Sequence, residues 1–137
     1  MSRDAAISLK WADGTYRFRL SIGQIRELQE KVDAGPAWVL DRIRTGGWRV
    51  DDLRETIRLG LIGGGAKPGD ALKLVERYVD TQPLADSVAP AMVILSAALF
   101  GAPDGERPGK RKAAERQAKS PSTESSASPP STELDPS

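Results

Sequence analysis

The chain has 137 residues, with 20 basic and 19 acidic side chains and neither cysteine nor histidine. The absence of these two residue types excludes disulfides, thiolate nucleophiles, imidazole bases and the usual zinc ligand sets. A net charge of +1 is far below the excess typical of nucleic-acid-binding domains, so bulk DNA binding is not expected.

The N-terminal segment is predicted to form a β-hairpin. Alternating apolar and polar residues flank Asp13 and Gly14, and Asp-Gly between two such runs is typical of a two-residue type I′ turn. This turn predicts an apolar face made by three cross-strand pairs, Trp11 with Tyr16, Leu9 with Phe18 and Ile7 with Leu20. The other face carries Lys10 opposite Arg17, together with Arg19, and like charges across a ribbon are mildly destabilising.

Five short helices are predicted after the hairpin, because the apolar spacing changes there from two to about 3.6. Ser21 and Gln24 form a capping box for the first helix, expected over 22–33, and Pro36 begins the second, expected over 36–44. Asp51 or Asp52 caps the third, with Arg54 and Arg58 on its solvated side, and the glycines 63–65 end it. The fourth helix runs from Pro68 to about residues 81–83.

The fifth predicted helix ends at residue 100 and contains the longest apolar stretch of the chain, 89–100, which Ser96 alone interrupts. This run is shorter than the roughly 20 residues needed to span a bilayer, so we expect the central, most buried helix of a core. Pro90 lies either in its first turn, behind a cap at Ser87, or at a kink. The N-terminus does not resemble a signal peptide, and we expect a soluble, cytoplasmic protein.

Composition divides the chain near residue 101. Residues 102–137 contain one leucine, no aromatic residue, six of the ten prolines and seven serines, and this composition predicts a disordered tail. All six basic residues of the tail lie within 107–119. We therefore expect one folded domain over 1–101, of class α+β and mainly α, with the hairpin packed on about five short helices.

Four features that resemble functional motifs fit structural roles better. The glycine-rich run 60–67 has its lysine after Ala66 and a proline after that lysine, so a helix connection is favoured over a phosphate loop. Asp51 and Asp52 are interpreted as helix-capping residues and not as catalytic carboxylates. Trp11, Trp38 and Trp48 are favoured as core or interface anchors over a nucleic-acid stacking platform. The basic segment 107–119 is favoured as a solvated linker over a nucleic-acid contact.

The edges of the hairpin leave two interpretations open. Two strands have two edges with unpaired backbone groups, and short strands with basic side chains protect such edges from aggregation. Alternatively, another chain, or a second copy of this domain, adds to an edge.

Three segments carry a resemblance to a known family: "WADGTYRFRLSIGQIRELQEKVDAGPAWVLDRI", "WRVDDLRETIRLGLIGGG" and "ALKLVERYVDTQPLADSVAPAMVILSAALFG". Together, over about residues 6–101, they resemble the small tail protein of gene transfer agents and related siphophages. Those proteins are grouped with the phage tail assembly chaperones. The tail 102–137 lies outside the resemblance.

The resemblance implies a non-enzymatic role in tail morphogenesis, with no catalytic residues, no cofactor and no metal. It implies a chaperone in the bacterial host cytoplasm that binds the tape measure protein and yields to the tail tube protein during polymerisation. The candidate protein-contact residues are Lys10, Arg17, Arg19, Trp38 and Trp48. A structural tube component retained in the particle is the main alternative, and a small nucleic-acid-binding regulator is less favoured. A homo-oligomer is possible, and a membrane partner is not expected.

Overall fold

A computed structural model describes residues 5–102. The order of its elements is β1 (Ile7–Trp11), β2 (Gly14–Phe18), α1 (Ile22–Val32), α2 (Pro36–Thr45), α3 (Val50–Gly63), α4 (Pro68–Tyr78), a short 3₁₀ helix (Leu84–Ser87) and α5 (Val88–Phe100). The predicted class, a two-stranded hairpin with five helices, is confirmed. Ala102 is buried; the rest of the predicted tail, and with it the basic segment 107–119, lies outside the described residues.

The hairpin forms with a different register from the predicted one. Its two-residue turn is Ala12–Asp13, so Trp11 pairs with Gly14 and Leu9 with Tyr16. The shift of two residues keeps every side chain on its predicted face, because side chains alternate with period two. It also places Lys10 opposite Thr15, and the predicted Lys10–Arg17 pairing, with its direct repulsion, is wrong.

The ends of α1 and α2 follow the predicted start and stop residues closely. Gln24 accepts a hydrogen bond from the Ser21 backbone N–H at 3.0 Å, which confirms the capping box. The first helix ends at Val32, one residue before the predicted end, because Asp33 already takes the left-handed conformation that terminates a helix. Pro36 begins α2 as predicted, and Gly46, with φ of 91°, follows its end.

The central helix of the domain is α3, and the prediction that gave this place to the fifth helix is wrong. Helix α3 contacts β2 and each of the other four helices, and eight of its 14 residues are buried. Helix α5 buries five of 13 residues and leaves Val93 and Phe100 exposed. A domain of about 100 residues has a high surface-to-volume ratio, so several of its helices must remain partly exposed.

Helix α5 begins directly after the 3₁₀ helix that Ser87 ends. Pro90 is its third residue, in the first turn, and this decides between the two predicted alternatives. Between residues 5 and 102, no helix is both long enough and apolar enough to cross a membrane.

Within residues 5–102, the most deeply buried charge belongs to Asp52. The prediction that Asp51 or Asp52 is the cap residue of α3 is wrong. Arg49 is the N-cap of α3, and Asp52, three residues later, accepts its backbone N–H at 2.8 Å. The same carboxylate receives two further hydrogen bonds from Arg42 on α2, at 3.0 Å and 2.6 Å. The side chain of Asp52 is 0% exposed, so its charge depends on these partners.

The predicted solvated face of α3 is instead a row of ion pairs. Arg58 binds the buried Glu55 at 2.6 Å and reaches Glu27 of α1 at 3.4 Å. Arg54 binds Asp80, just beyond α4, at 2.9 Å. Both arginines are mostly covered, so the prediction that they are solvated is wrong. Arg58 instead connects α3 to α1, and Arg54 connects α3 to Asp80, just beyond the end of α4.

The glycines near the end of α3 allow the hairpin to approach closely. A Cβ atom on Gly64 would lie 2.0 Å from the carbonyl oxygen of Arg17, and one on Gly63 would lie 1.9 Å from that of Arg19. The N–H of Arg19 donates to the carbonyl of Gly60 at 2.9 Å. The glycine run is thus a packing surface for β2 and the residues after it, in addition to the helix connection that was predicted.

We predict that Arg42→Ala destabilises the domain by about 3–5 kcal/mol, because it leaves the Asp52 charge buried and without its main partner. Arg44→Ala in the same helix is the matched control. It removes an exposed pair with Asp41, and we expect a loss of about 1 kcal/mol or less. Denaturant unfolding measures both changes, and equal losses for the two variants would contradict the assigned role of Asp52.

We also predict that Gly64→Ala destabilises the domain by about 1–3 kcal/mol or more, because the new methyl group meets backbone atoms that cannot rotate away. The φ of Gly64 is −81°, so the cost comes from the contact and not from the backbone conformation. Gly69→Ala, in the first turn of α4, meets no atom within 4 Å and should be neutral or stabilising by up to about 1 kcal/mol. Thermal unfolding of the two variants tests this difference, and a Gly64→Ala domain as stable as the native one would refute the close packing.

Candidate protein-contact surfaces

The two faces of the hairpin have the separate environments that the sequence predicts. On the inner face Ile7 and Phe18 are buried, and the other apolar residues of the two strands are partly buried against the core. On the outer face Ser8, Lys10, Thr15 and Arg17 are all exposed. Lys10 and Arg17 are diagonal neighbours on this face, so two cations point to solvent from adjacent positions.

The two edges of the hairpin differ. Arg19, just after β2, donates its N–H to Gly60, and the Arg17 carbonyl lies against Gly64, so the end of α3 covers the β2 edge. By strand alternation, Ser8 and Lys10 on β1 direct their backbone groups away from β2. No backbone partner for these two residues occurs within residues 5–102. Among the described residues, the part of the β1 edge at Ser8 and Lys10 is therefore the part that another strand could reach.

The three tryptophans occupy three different environments. Trp11 makes ring contacts with Tyr16, Phe18 and Tyr78 at the tip of the hairpin. Trp48, in the loop before α3, is partly buried against the core. Trp38 projects from α2 with 61% of its surface exposed. In the part of the chain that the structure describes, no ring contact joins one tryptophan to another, so they do not form a common stacking platform.

The candidate contact residues therefore form one group and two separate positions. Lys10 and Arg17 share the outer face of the hairpin, and the exposed side chain of Arg19 follows directly after β2. Trp38 is a separate exposed site, whereas the partial burial of Trp48 gives it a structural role as well. That these residues contact a partner remains a prediction.

Other large apolar side chains, which the sequence patterns assigned to the core, are exposed. Val93 and Phe100, at 41% and 65% exposure, are seven positions apart and lie on the same side of α5. The remaining exposed large apolar residues on the helices are Ile22, Val50 and Leu72. The sequence did contain an indication that α5 would be partly exposed. This helix is apolar nearly all round, and a domain of about 100 residues cannot cover every face of such a helix.

The tip of the hairpin contains a hydrogen bond that changes two pKa values. The Tyr16 hydroxyl donates to the Asp13 carboxylate across the turn. This bond raises the pKa of Tyr16 to about 12, because removing the proton would place two negative charges together. The same bond lowers the pKa of Asp13, with a smaller contribution from the Tyr78 hydroxyl. Asp13 therefore carries a stable negative charge at the tip.

The arrangement of acidic residues gives no indication of metal chemistry. Over residues 5–102, no three carboxylates come together in a group that could hold a metal ion. The two most buried carboxylates, those of Asp52 and Glu55, are occupied by arginines. The described surface has exposed cations, a strand edge and exposed apolar side chains, which are means of binding other polypeptides.

A comparison with family models places these features in a biological context. The model described as phage tail tube protein, GTA-gp10, matches residues 4–101, which include the hairpin and all five helices. The chain belongs to this family. Searches of curated proteins and of solved structures gave no significant match.

Membership of the GTA-gp10 tail tube family confirms part of what the sequence resemblance implied. A gene-transfer-agent or phage tail protein is shown, and the family description is that of a structural protein and not of an enzyme. The description names the tail tube and does not name an assembly chaperone or a tape measure partner.

We predict that Asp13→Asn lowers the pKa of Tyr16 from about 12 toward the ordinary value of 10.0. The phenol is favoured in the folded state, so its contribution to stability is complete below pH 10 and is lost as the pH rises through about 12. A Tyr78→Phe background leaves Tyr16 as the single tyrosine, and phenolate absorbance then follows its titration alone. Identical titration curves with and without Asp13→Asn would contradict the assignment.

Proposed function

We propose that this tail protein acts during assembly as a chaperone, through weak and reversible contacts with the tape measure protein. The observation that carries the proposal is the separation of its contact features. Exposed large apolar side chains occur on all five helices, one each on α1 to α4 and two on α5, and the cations lie on the outer face of the hairpin. Permanent interfaces bury large, continuous apolar areas, whereas dispersed small contacts suit a partner that must later be displaced.

The chemistry of the proposed partner fits these features. By the sequence resemblance, the tape measure is a long, helical and aggregation-prone protein, and amphipathic helices expose apolar stripes that associate with each other. Trp38 offers a large aromatic surface to such a stripe, and aromatic side chains are enriched among the residues that dominate binding. Lys10 and Arg17 would bind acidic residues beside the stripe and so set its register.

A permanent tube component is the second candidate, and the family description favours it directly because it names the tail tube. The open β1 edge supports the same candidate, since strand addition between subunits is one way in which protein chains assemble. The two candidates share the same partners and differ in whether the protein leaves. Analysis of the finished particle therefore separates them better than any binding measurement.

We predict that co-expression of the full chain raises the soluble fraction of the tape measure protein encoded with it, and that Trp38→Ser largely removes this effect. Loss of a dominant aromatic contact costs about 2 kcal/mol, or roughly thirtyfold in Kd. Gln29→Ser on α1 is the control, because it shortens an exposed polar side chain that is not among the contact features and should keep the native effect. Circular dichroism of both variants verifies that the fold is intact.

Two outcomes decide against the chaperone. If the solubility of the tape measure is the same with and without this protein, the proposed contact does not exist. If mass spectrometry of purified particles finds the protein in stoichiometric amounts with the tube subunits, it is a retained component. The chaperone proposal expects it to be absent or present in traces.

A further inference from the structure

A cavity of about 370 Å³ opens between the tip of the hairpin and the segment that joins α4 to α5. Its walls combine two aromatic rings, those of Trp11 and Tyr78, with two carboxylates, those of Asp13 and Asp86. The remaining lining residues are Ala12, Gln82 and Ser87. This volume is at the lower end of the range for ligand sites and corresponds to a single side chain or small group.

The charge of this aromatic–acidic cavity is negative. Among the described residues, no lysine or arginine lines it. Arg77 is a basic group that acts on it: its guanidinium lies 6.0 Å from the Tyr78 ring and contributes to the lowered pKa of Asp13. Asp86 is exposed, and within residues 5–102 its carboxylate has no hydrogen bond or ion pair. Two carboxylates against one guanidinium leave a net negative site.

Ser87 provides a second and independent indication of a ligand. It lines the cavity and is only 4% exposed. Its hydroxyl makes no hydrogen bond to any group in the part of the chain that the structure describes, and it does not cap α5. A buried polar group of this kind is normally satisfied, and a hydroxyl oxygen can accept a hydrogen bond from an incoming N–H donor.

We propose that the aromatic–acidic cavity binds the side chain of an arginine on a partner polypeptide. A guanidinium is planar and stacks on aromatic rings, and its five donors can serve two carboxylates and a hydroxyl together. An ammonium has three donors and is more strongly hydrated, so lysine fits this set less well. The proposal rests on the proposed function in one respect, namely that the natural partner is another tail polypeptide.

The test is a titration of the full chain with the peptide acetyl-Gly-Arg-Gly-amide, followed by amide and indole NMR resonances. We expect saturable shifts at the Trp11 indole and the Ser87 amide, with a Kd on the order of millimolar, as suits a single side chain. The matched peptide with citrulline in place of arginine has the same shape without the charge, and we expect no saturable shift at these positions. Equal binding of the two peptides, or no shift at the cavity, would overturn the proposal.

A pair of variants checks that the cavity carboxylates are responsible. Asp86→Asn keeps the size of an exposed side chain and should weaken arginine-peptide binding about threefold, the effect of losing one exposed charge pair. Glu30→Gln makes the same change of charge on the exposed side of α1 and should leave binding unchanged. Equal affinities of the Asp86→Asn and native chains would refute the site. Since the titration uses free protein, it can fail while the protein still solubilises the tape measure, and the converse also holds.

Discussion

The buried carboxylate of Asp52 constrains how α2 and α3 lie against each other. A charge with no exposure must be matched in place, and Arg42 and the N–H of Arg49 match it from α2 and from the start of α3. Apolar side chains tolerate several packings, whereas three hydrogen bonds of fixed length tolerate one. Buried ion pairs add little to stability over apolar contacts, so we interpret this pair as fixing the position of α2.

The other polar residues of α3 extend the same constraint in different directions. Arg58 connects the buried Glu55 to α1, and Arg54 connects the helix to Asp80 beyond α4. The end of α3 makes a different kind of contact. Its glycines have no side chains, so its backbone packs directly against the backbone of the hairpin. The hairpin is held at that end with its β2 edge covered, and this leaves the β1 edge and the outer face toward solvent.

The sequence predicted those parts of the fold that depend on neighbouring residues. Proline and glycine marked the helix ends, and period-two alternation gave the faces of the hairpin, which survive a shift of two residues. The register itself was missed, because it brings Trp11 into contact with Tyr16 and with Tyr78, which lies 67 residues beyond Trp11 in the chain. The role of α3 was missed for a similar reason. In the sequence, the spacing of Arg54 is that of a solvated residue. Its pairing with Asp80, 26 residues away, is seen only in the fold.

The candidate contact residues show the same limit. Apolar periodicity predicted that Trp38 lies on α2. It did not predict that Trp38 is exposed while its neighbours Val39 and Leu40 are buried. The aromatic–acidic cavity joins residues near positions 12, 78 and 86, and no single segment displays that combination. Local patterns therefore predicted the type of residues in each segment, whereas the fold determines which of these residues lie together at the surface.

The hairpin presents charges of opposite sign at two places, and this bears on how a small domain can orient a long partner. Its outer face carries Lys10 and Arg17, while its tip joins the cavity of Asp13 and Asp86. A net charge of +1 conceals this division. A uniformly charged surface would attract a helix without fixing its direction, because reversing the helix would leave the charges matched. Two separated regions of opposite sign distinguish the two directions, since a partner with an acidic and a basic segment matches them in one orientation only.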